Sequence, residues 1–137
     1  MSIRRVAVAL SVQLLVSGMF FAGPCRAMSD DPVMLNADLQ LTTAEQASLA
    51  IDAMKGSPTA ARKLGTYHFT YRGDRTQALK WYTVGAENGD LASAFGLYSI
   101  LNASKDEEER LRAMFWLHKA ADGGFGYARD ELKALGQ

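Results

Sequence analysis

The chain has 137 residues, with 15 basic and 15 acidic side chains, two histidines and one cysteine. That length suits one small domain, and a lone cysteine excludes an internal disulfide framework. Balanced charge removes the basic footprint that displaces counterions from phosphate, so nucleic acid is not an expected partner.

Arg4 and Arg5 precede an apolar run from Val6 to Ala22, interrupted only by Ser11, Gln13, Ser17 and Gly18. Gly23, Pro24, Cys25, Arg26 and Ala27 follow. Charge, apolar stretch and small-residue cut site, in that order, predict a secretory signal peptide over residues 1–27. An uncleaved anchor is the competing reading. The run is shorter than the roughly 20 apolar residues a spanning helix needs, and it carries a Gln. A lipid-attached form fits less well, because Pro24 stands directly before Cys25. Cleavage after Ala27 leaves 12 basic and 15 acidic side chains, a net charge of −3, and no cysteine. The predicted location is the periplasm, with secretion as the alternative and membrane contact only in transit.

Residues 28–41 read as a lead-in segment with a turn at Asp30, Asp31 and Pro32. From Thr42 to the last residue the apolar spacing is helical, in six segments. Thr42 and Glu45 predict a capping box, followed by a stripe of Ala47, Ala50, Ile51 and Met54 and a stop at Gly56. Ser57 and Pro58 open a second helix, since proline is tolerated at the first helical position. Its stripe is Ala61, Leu64, Tyr67, His68 and Tyr71, ending at Gly73. Asp74 with Gln77 caps a third, carrying Ala78, Trp81, Tyr82, Gly85 and Ala86 up to Gly89. Asp90 opens a fourth with Ala94, Leu97, Tyr98 and Leu101. Ser104 with Glu107 caps a fifth, with a stripe of Leu111, Met114, Phe115, His118 and Ala121, broken by Gly123 and Gly124. A short sixth carries Ala128, Leu132 and Leu135.

Connections this short fold helices back on one another as antiparallel hairpins. The hairpins also repeat. Trp81 to Gly89 aligns with Trp116 to Gly124 at an offset of 35, and Ala53 to Gly56 aligns with Ala86 to Gly89 at an offset of 33. Periods of this size mark helix-pair solenoids. Leu64-Gly65-x-Tyr67, then Ala78-x-x-Trp81-Tyr82-x-x-Gly85-Ala86-x-x-Gly89-Asp90, resembles the Sel1-like repeat, a relative of the tetratricopeptide repeat. Ala113-x-x-Trp116-x-x-Lys119-Ala120-Ala121-x-x-Gly124 resembles it more closely. The resemblance covers residues 43–135. Three departures stand out: the interhelical loop is shortened to Arg72-Gly73-Asp74, the first repeat lacks the aromatic pair, and no cysteines staple the hairpins. The expected fold is all-α, a short solenoid of about three antiparallel hairpins over residues 42–137. Gly85, Ala86, Ala120 and Ala121 would let helices approach closely, and Trp81 and Trp116 would fill the space between hairpins.

The sequence offers no catalytic constellation, and the chain is read as non-enzymatic. His68 and His118 sit in different hairpins without a second ligand at helical spacing, so no metal is expected. No strained serine elbow is present. Asp106, Glu107, Glu108 and Glu109 occupy a helix start, where the macrodipole favours them, rather than a cleft of paired acids. Arg72-Gly73-Asp74 reads as a glycine stop followed by an Asp cap. No cofactor is implied.

The aromatics exceed what three thin hairpins can bury, and exposed Tyr and Trp suit protein interfaces. The resemblance implies that the first helix of each pair lines a groove. The candidate partner-binding residues are Tyr71, Tyr82, Thr83, Trp116, Leu117 and His118. The expected function is non-catalytic binding of one other protein in the bacterial envelope, as a regulator, an inhibitor or an immunity-type protein. Alternatives are an envelope hydrolase or amidase, and a secreted host-interaction repeat protein.

Overall fold

The computed structural model describes residues 40–137, so the signal peptide assigned to residues 1–27 and the lead-in up to residue 39 lie outside the described residues. The described residues are all-helical: α1 (Thr43–Met54), α2 (Pro58–Thr66, prolonged by a π-helical turn Tyr67–Tyr71), α3 (Arg75–Glu87), α4 (Leu91–Asn102), α5 (Glu107–Asp122) and α6 (Gly126–Ala134). Each helix packs chiefly on the one before it and the one after it.

Local chemistry sets the helix ends. Thr42 and Glu45 form the reciprocal capping box, the Glu45 amide donating to Thr42 Oγ1 at 3.2 Å and the Thr42 amide to Glu45 Oε2 at 2.8 Å. Ser57, Asp74 and Asp90 accept the amides of Ala60, Gln77 and Ser93. α1, α3 and α5 are followed by Gly56, Gly89 and Gly124 at φ of 99°, 90° and 103°, a conformation that side chains with a Cβ resist. The fifth helix begins later than expected. Its cap is Asp106, which accepts from the Glu108 amide at 2.9 Å, while Ser104 Oγ accepts from the Asp106 amide. α2 ends in a wide turn in which the Arg72 amide donates to Tyr67 O, five residues back, at 3.1 Å.

Two of the expected apolar stripes are rotated. α1 buries Ala53 and packs Leu49 and Ala50 inward, leaving Ile51 and Met54 exposed at 56% and 72%. α5 buries Ala113, Trp116, Leu117, Ala120 and Ala121, and exposes Leu111 and Phe115 at 67% and 56%. Both helices carry apolar residues on several sides, so periodicity alone leaves the phase of the buried face open. The stripes of α3 and α4 are buried as expected. In α2, Ala61, Leu64 and Tyr67 are buried, His68 is half-buried and Tyr71 is exposed; in α6 only Ala128 is fully covered.

Burial repeats at both sequence offsets. Thirty-five residues apart, Ala78 and Ala113, Trp81 and Trp116, Ala86 and Ala121, and Ser93 and Ala128 are all buried. Thirty-three apart, so are Ala53 and Ala86, Ala61 and Ala94, and Leu64 and Leu97. The core falls into two clusters. Trp81 packs back onto Ala53, Ala60, Ala61 and Leu64, with Val84 beside it. Tyr82, Ala78 and Ala86 pack forward with α4, α5 and α6.

Small residues hold the inner helices together. The Tyr82 ring lies between Gly65 of α2 and Gly96 of α4, and its hydroxyl is hydrogen-bonded to Thr66 Oγ1 at 3.2 Å. Burial raises the Tyr82 phenol above its ordinary pKa, against the opposing effect of the Thr66 hydrogen bond. Gly85 faces Ser93, whose Oγ donates to Asp90 Oδ2 at 2.5 Å. Arg62 Nε of α2 lies 3.3 Å from that same Asp90 oxygen.

Candidate partner-binding surface

Helix α5 carries the most apolar exposed face of the inner helices. Leu111, Phe115 and His118 recur at spacings of four and three, so they share one side of the helix. All three are exposed. Ala113, Trp116, Leu117 and Ala120 anchor the opposite side in the core, which fixes the orientation of the exposed residues. Phe115 stands edge-on to the Trp116 ring, centroids 5.1 Å apart, and Lys119 Nζ lies 4.9 Å from the Trp116 ring centre.

Beside this face an open cleft of about 520 Å³ is lined by Glu87 of α3 and by Glu108, Arg112, Phe115 and Trp116 of α5. The cleft joins an apolar floor to a charged rim, the pattern of a protein interface. Outside the cleft lining, Arg75 reaches Glu109 Oε2 at 2.5 Å and ties the start of α3 to the start of α5. Hydrogen bonds from Ser104 and Arg75 hold the Glu109 carboxyl below its ordinary pKa. Glu109 therefore stays anionic, and the tie stays in place, at neutral pH.

A second, smaller depression lies at the end of the π-helical turn, lined by Phe69, Gly73, Arg75, Ser99, Ile100 and Ala103. His68 sits in that turn with Nδ1 buried and without a hydrogen-bond partner among the described residues. Burial lowers its pKa below 6.5, with Arg72 and Lys80 acting in the same direction and Asp74 opposing. The Tyr71 ring stacks on Tyr67 at 5.5 Å.

The six candidate residues from the sequence part company here. Trp116 and His118 both lie on α5, but Trp116 is buried in the core and only edges the cleft, while His118 stands on the exposed face. Thr83 is half-buried on α3. Tyr71 is exposed at the far end of α2 and does not line the cleft between α3 and α5. Tyr82 and Leu117 are corrected to core: Tyr82 fills the gap between two glycines, and Leu117 is fully enclosed by neighbouring helices. A partner cannot reach them without unpacking the fold.

Sequence reasoning missed Leu111 and Phe115 as surface residues and Glu87, Glu108 and Arg112 as the rim. A signal was available. At the offset of 35, Leu111 and Phe115 correspond to Thr76 and Lys80 of α3, polar residues suited to a solvent-facing side. The repeat register therefore turned both apolar residues outward.

Among the described residues, no cluster of three metal-ligating side chains occurs, and no helix is long and apolar enough to cross a membrane. Comparison with protein-family models, with curated proteins and with solved structures finds no match to this chain.

Proposed function

We propose that this chain is a non-catalytic protein-binding module, a short Sel1-like solenoid of three helix hairpins exported to the bacterial periplasm. There it binds one partner as a regulator, an inhibitor or an immunity-type protein. The observation that carries the reading is the α5 face: Leu111 and Phe115 are exposed at 67% and 56% beside a cleft rimmed by Glu87, Glu108 and Arg112. Large apolar side chains grouped on a surface and bordered by charge mark interaction sites. The repeated burial at offsets of 33 and 35 supports the solenoid. The charge-apolar-small order of residues 1–27 supports export. One cleft on a small stack suits a single partner better than an adaptor, which needs two surfaces.

The test is affinity capture from an envelope extract, using protein expressed from the full sequence, with wild type and a Leu111→Ser/Phe115→Ser variant as parallel baits. A dominant partner held by wild type and lost by the folded variant supports the reading. A partner held equally by both moves the interface off α5. An empty capture by folded wild type overturns stable partner binding.

A further inference from the structure

Helices α1, α3 and α5 stop on equivalent pairs, Lys55-Gly56, Asn88-Gly89 and Gly123-Gly124, related by the offsets of 33 and 35. The second residue of each pair is a glycine at positive φ. Only the middle stop puts a side-chain amide directly before its glycine. The chain has three asparagines, and the other two, Asn36 and Asn102, precede alanine. That difference is chemical. A backbone nitrogen can attack the side-chain carbonyl carbon of the asparagine before it, and glycine leaves open the approach that a Cβ obstructs.

The fold leaves this pair accessible. Asn88 and Gly89 are both exposed, and nothing lies within 4 Å of the point where a Gly89 Cβ would stand. Asn88 has left the helical conformation, with φ −85° and ψ 13°. Its Nδ2 donates to Val84 O at 2.8 Å, and its Oδ1 lies beside Gly56 of the preceding stop, where an added Cβ would stand 3.6 Å away. The Gly89 amide donates to Ala86 O at 3.2 Å, a bond at an exposed helix end, where local opening costs least. Asp122-Gly123 is the one aspartate-glycine pair, and it is closed. Its Gly123 amide donates to Lys119 O, four residues back as in a helix, and Leu91 crowds Gly123, with Cδ2 2.5 Å from an added Cβ.

We infer that Asn88-Gly89 is a site of spontaneous deamidation, through which the stop between α3 and α4 gains a carboxylate and loosens. The Gly89 nitrogen gives up its proton to solvent base and attacks Asn88 Cγ. The N–Cγ bond forms, the Cγ–Nδ2 bond breaks, and the nitrogen of the side chain leaves as ammonia after taking up a proton. Water then opens the five-membered imide at either of its two carbonyls, giving aspartate or isoaspartate at position 88. One water is consumed and one ammonia released, with no oxidation or reduction. The product suits its place poorly. A carboxylate cannot donate to Val84 O, and negative charge at a helix C-terminus opposes the macrodipole. An isoaspartate also lengthens the backbone inside the turn that carries Asp90, the cap of α4, whose side chain holds Ser93 and lies 3.3 Å from Arg62 Nε.

The inference does not depend on partner binding and is tested without a partner. The full chain is incubated in mildly alkaline buffer, folded and, as a reference, unfolded in guanidinium chloride. Mass spectrometry of its peptides follows the change from amide to carboxyl at each asparagine, and an isoaspartate methyltransferase reports the rearranged product. Folded chain is expected to convert at Asn88 ahead of Asn102, more slowly than unfolded chain, with isoaspartate among the products. Asn88→Lys, which copies the residue at the equivalent stop of α1, abolishes the isoaspartate signal. Folded chain that keeps Asn88 intact after the unfolded reference has converted completely overturns the inference, as does conversion that yields aspartate alone. The loosening is read separately with Asn88→Asp, which is expected to unfold at lower urea than wild type; an unchanged midpoint overturns that part.

Discussion

The Tyr82 ring leaves no room for a side chain on Gly65: a Cβ there would lie 2.8 Å from ring atom Cε1. Gly96 of α4 also approaches the ring closely, since a Cβ there would lie 3.0 Å from Cζ. Alanine favours a helix over glycine by about 1 kcal/mol, but overpacking a filled gap costs about 1–3 kcal/mol. Gly65→Ala is therefore expected to destabilise the fold in urea titration. In a Tyr82→Leu background the same substitution becomes neutral or stabilising, a coupling a double-mutant cycle reads directly. Gly85→Leu, driven into Ser93 of α4, costs a similar few kcal/mol; an unchanged unfolding midpoint would break the proposed repeat register.

Neighbouring residues of α5 should answer differently to truncation. Leu117 is fully buried, so Leu117→Ala is expected to cost about 2–5 kcal/mol through the cavity it leaves. Phe115→Ser and Leu111→Ser lie on the exposed side and should shift stability by no more than about 0.5 kcal/mol. Thermal unfolding of the three variants separates core from surface. A large loss for Phe115→Ser would put Phe115 inside the fold.

Tyr98 ties α4 to α6 by donating to Glu131 Oε1 at 2.6 Å. Its pKa is pushed up to about 12, by burial first and then by the hydrogen bond and negative charge of Glu131. A phenol raised in the fold contributes stability that is fully present below its ordinary value of 10, and that stability is lost as pH rises through the folded value. Wild type should therefore lose more stability than Tyr98→Phe between about pH 8 and about pH 11.5. Parallel losses in the two proteins would refute the tie.

His68 has the opposite sign. Burial lowers its pKa, so its contribution is present above 6.5 and is lost as pH falls through the folded value. Proton NMR should show its imidazole titrating below 6.5. Lys80→Ala, which removes one repelling charge, should move the midpoint upward. A midpoint at or above 6.5 in wild type would mean that the ring is solvated.

What the sequence by itself determined is the set of helices and most of their ends. Capping is local: Thr42, Ser57, Asp74 and Asp90 each act within three residues, and the glycine stops need no distant partner. The one misplaced start, Asp106 for Ser104, lay in a stretch with two competing acceptors. The expected stripes of α3 and α4 coincide with buried residues, and α4, apolar on most sides, buries Ser93 and Ile100 besides. Only the tertiary structure decided which sides of α1 and α5 are inside, since both helices carry more apolar positions than one neighbour can cover. On α5, close packing of Ala113, Leu117 and Ala120 against the core turned Leu111 and Phe115 outward. Tyr82 shows the same limit from the other side. As a residue type it suits an interface, but two glycines on separate helices, 31 positions apart, enclose its ring, and no local pattern records that meeting.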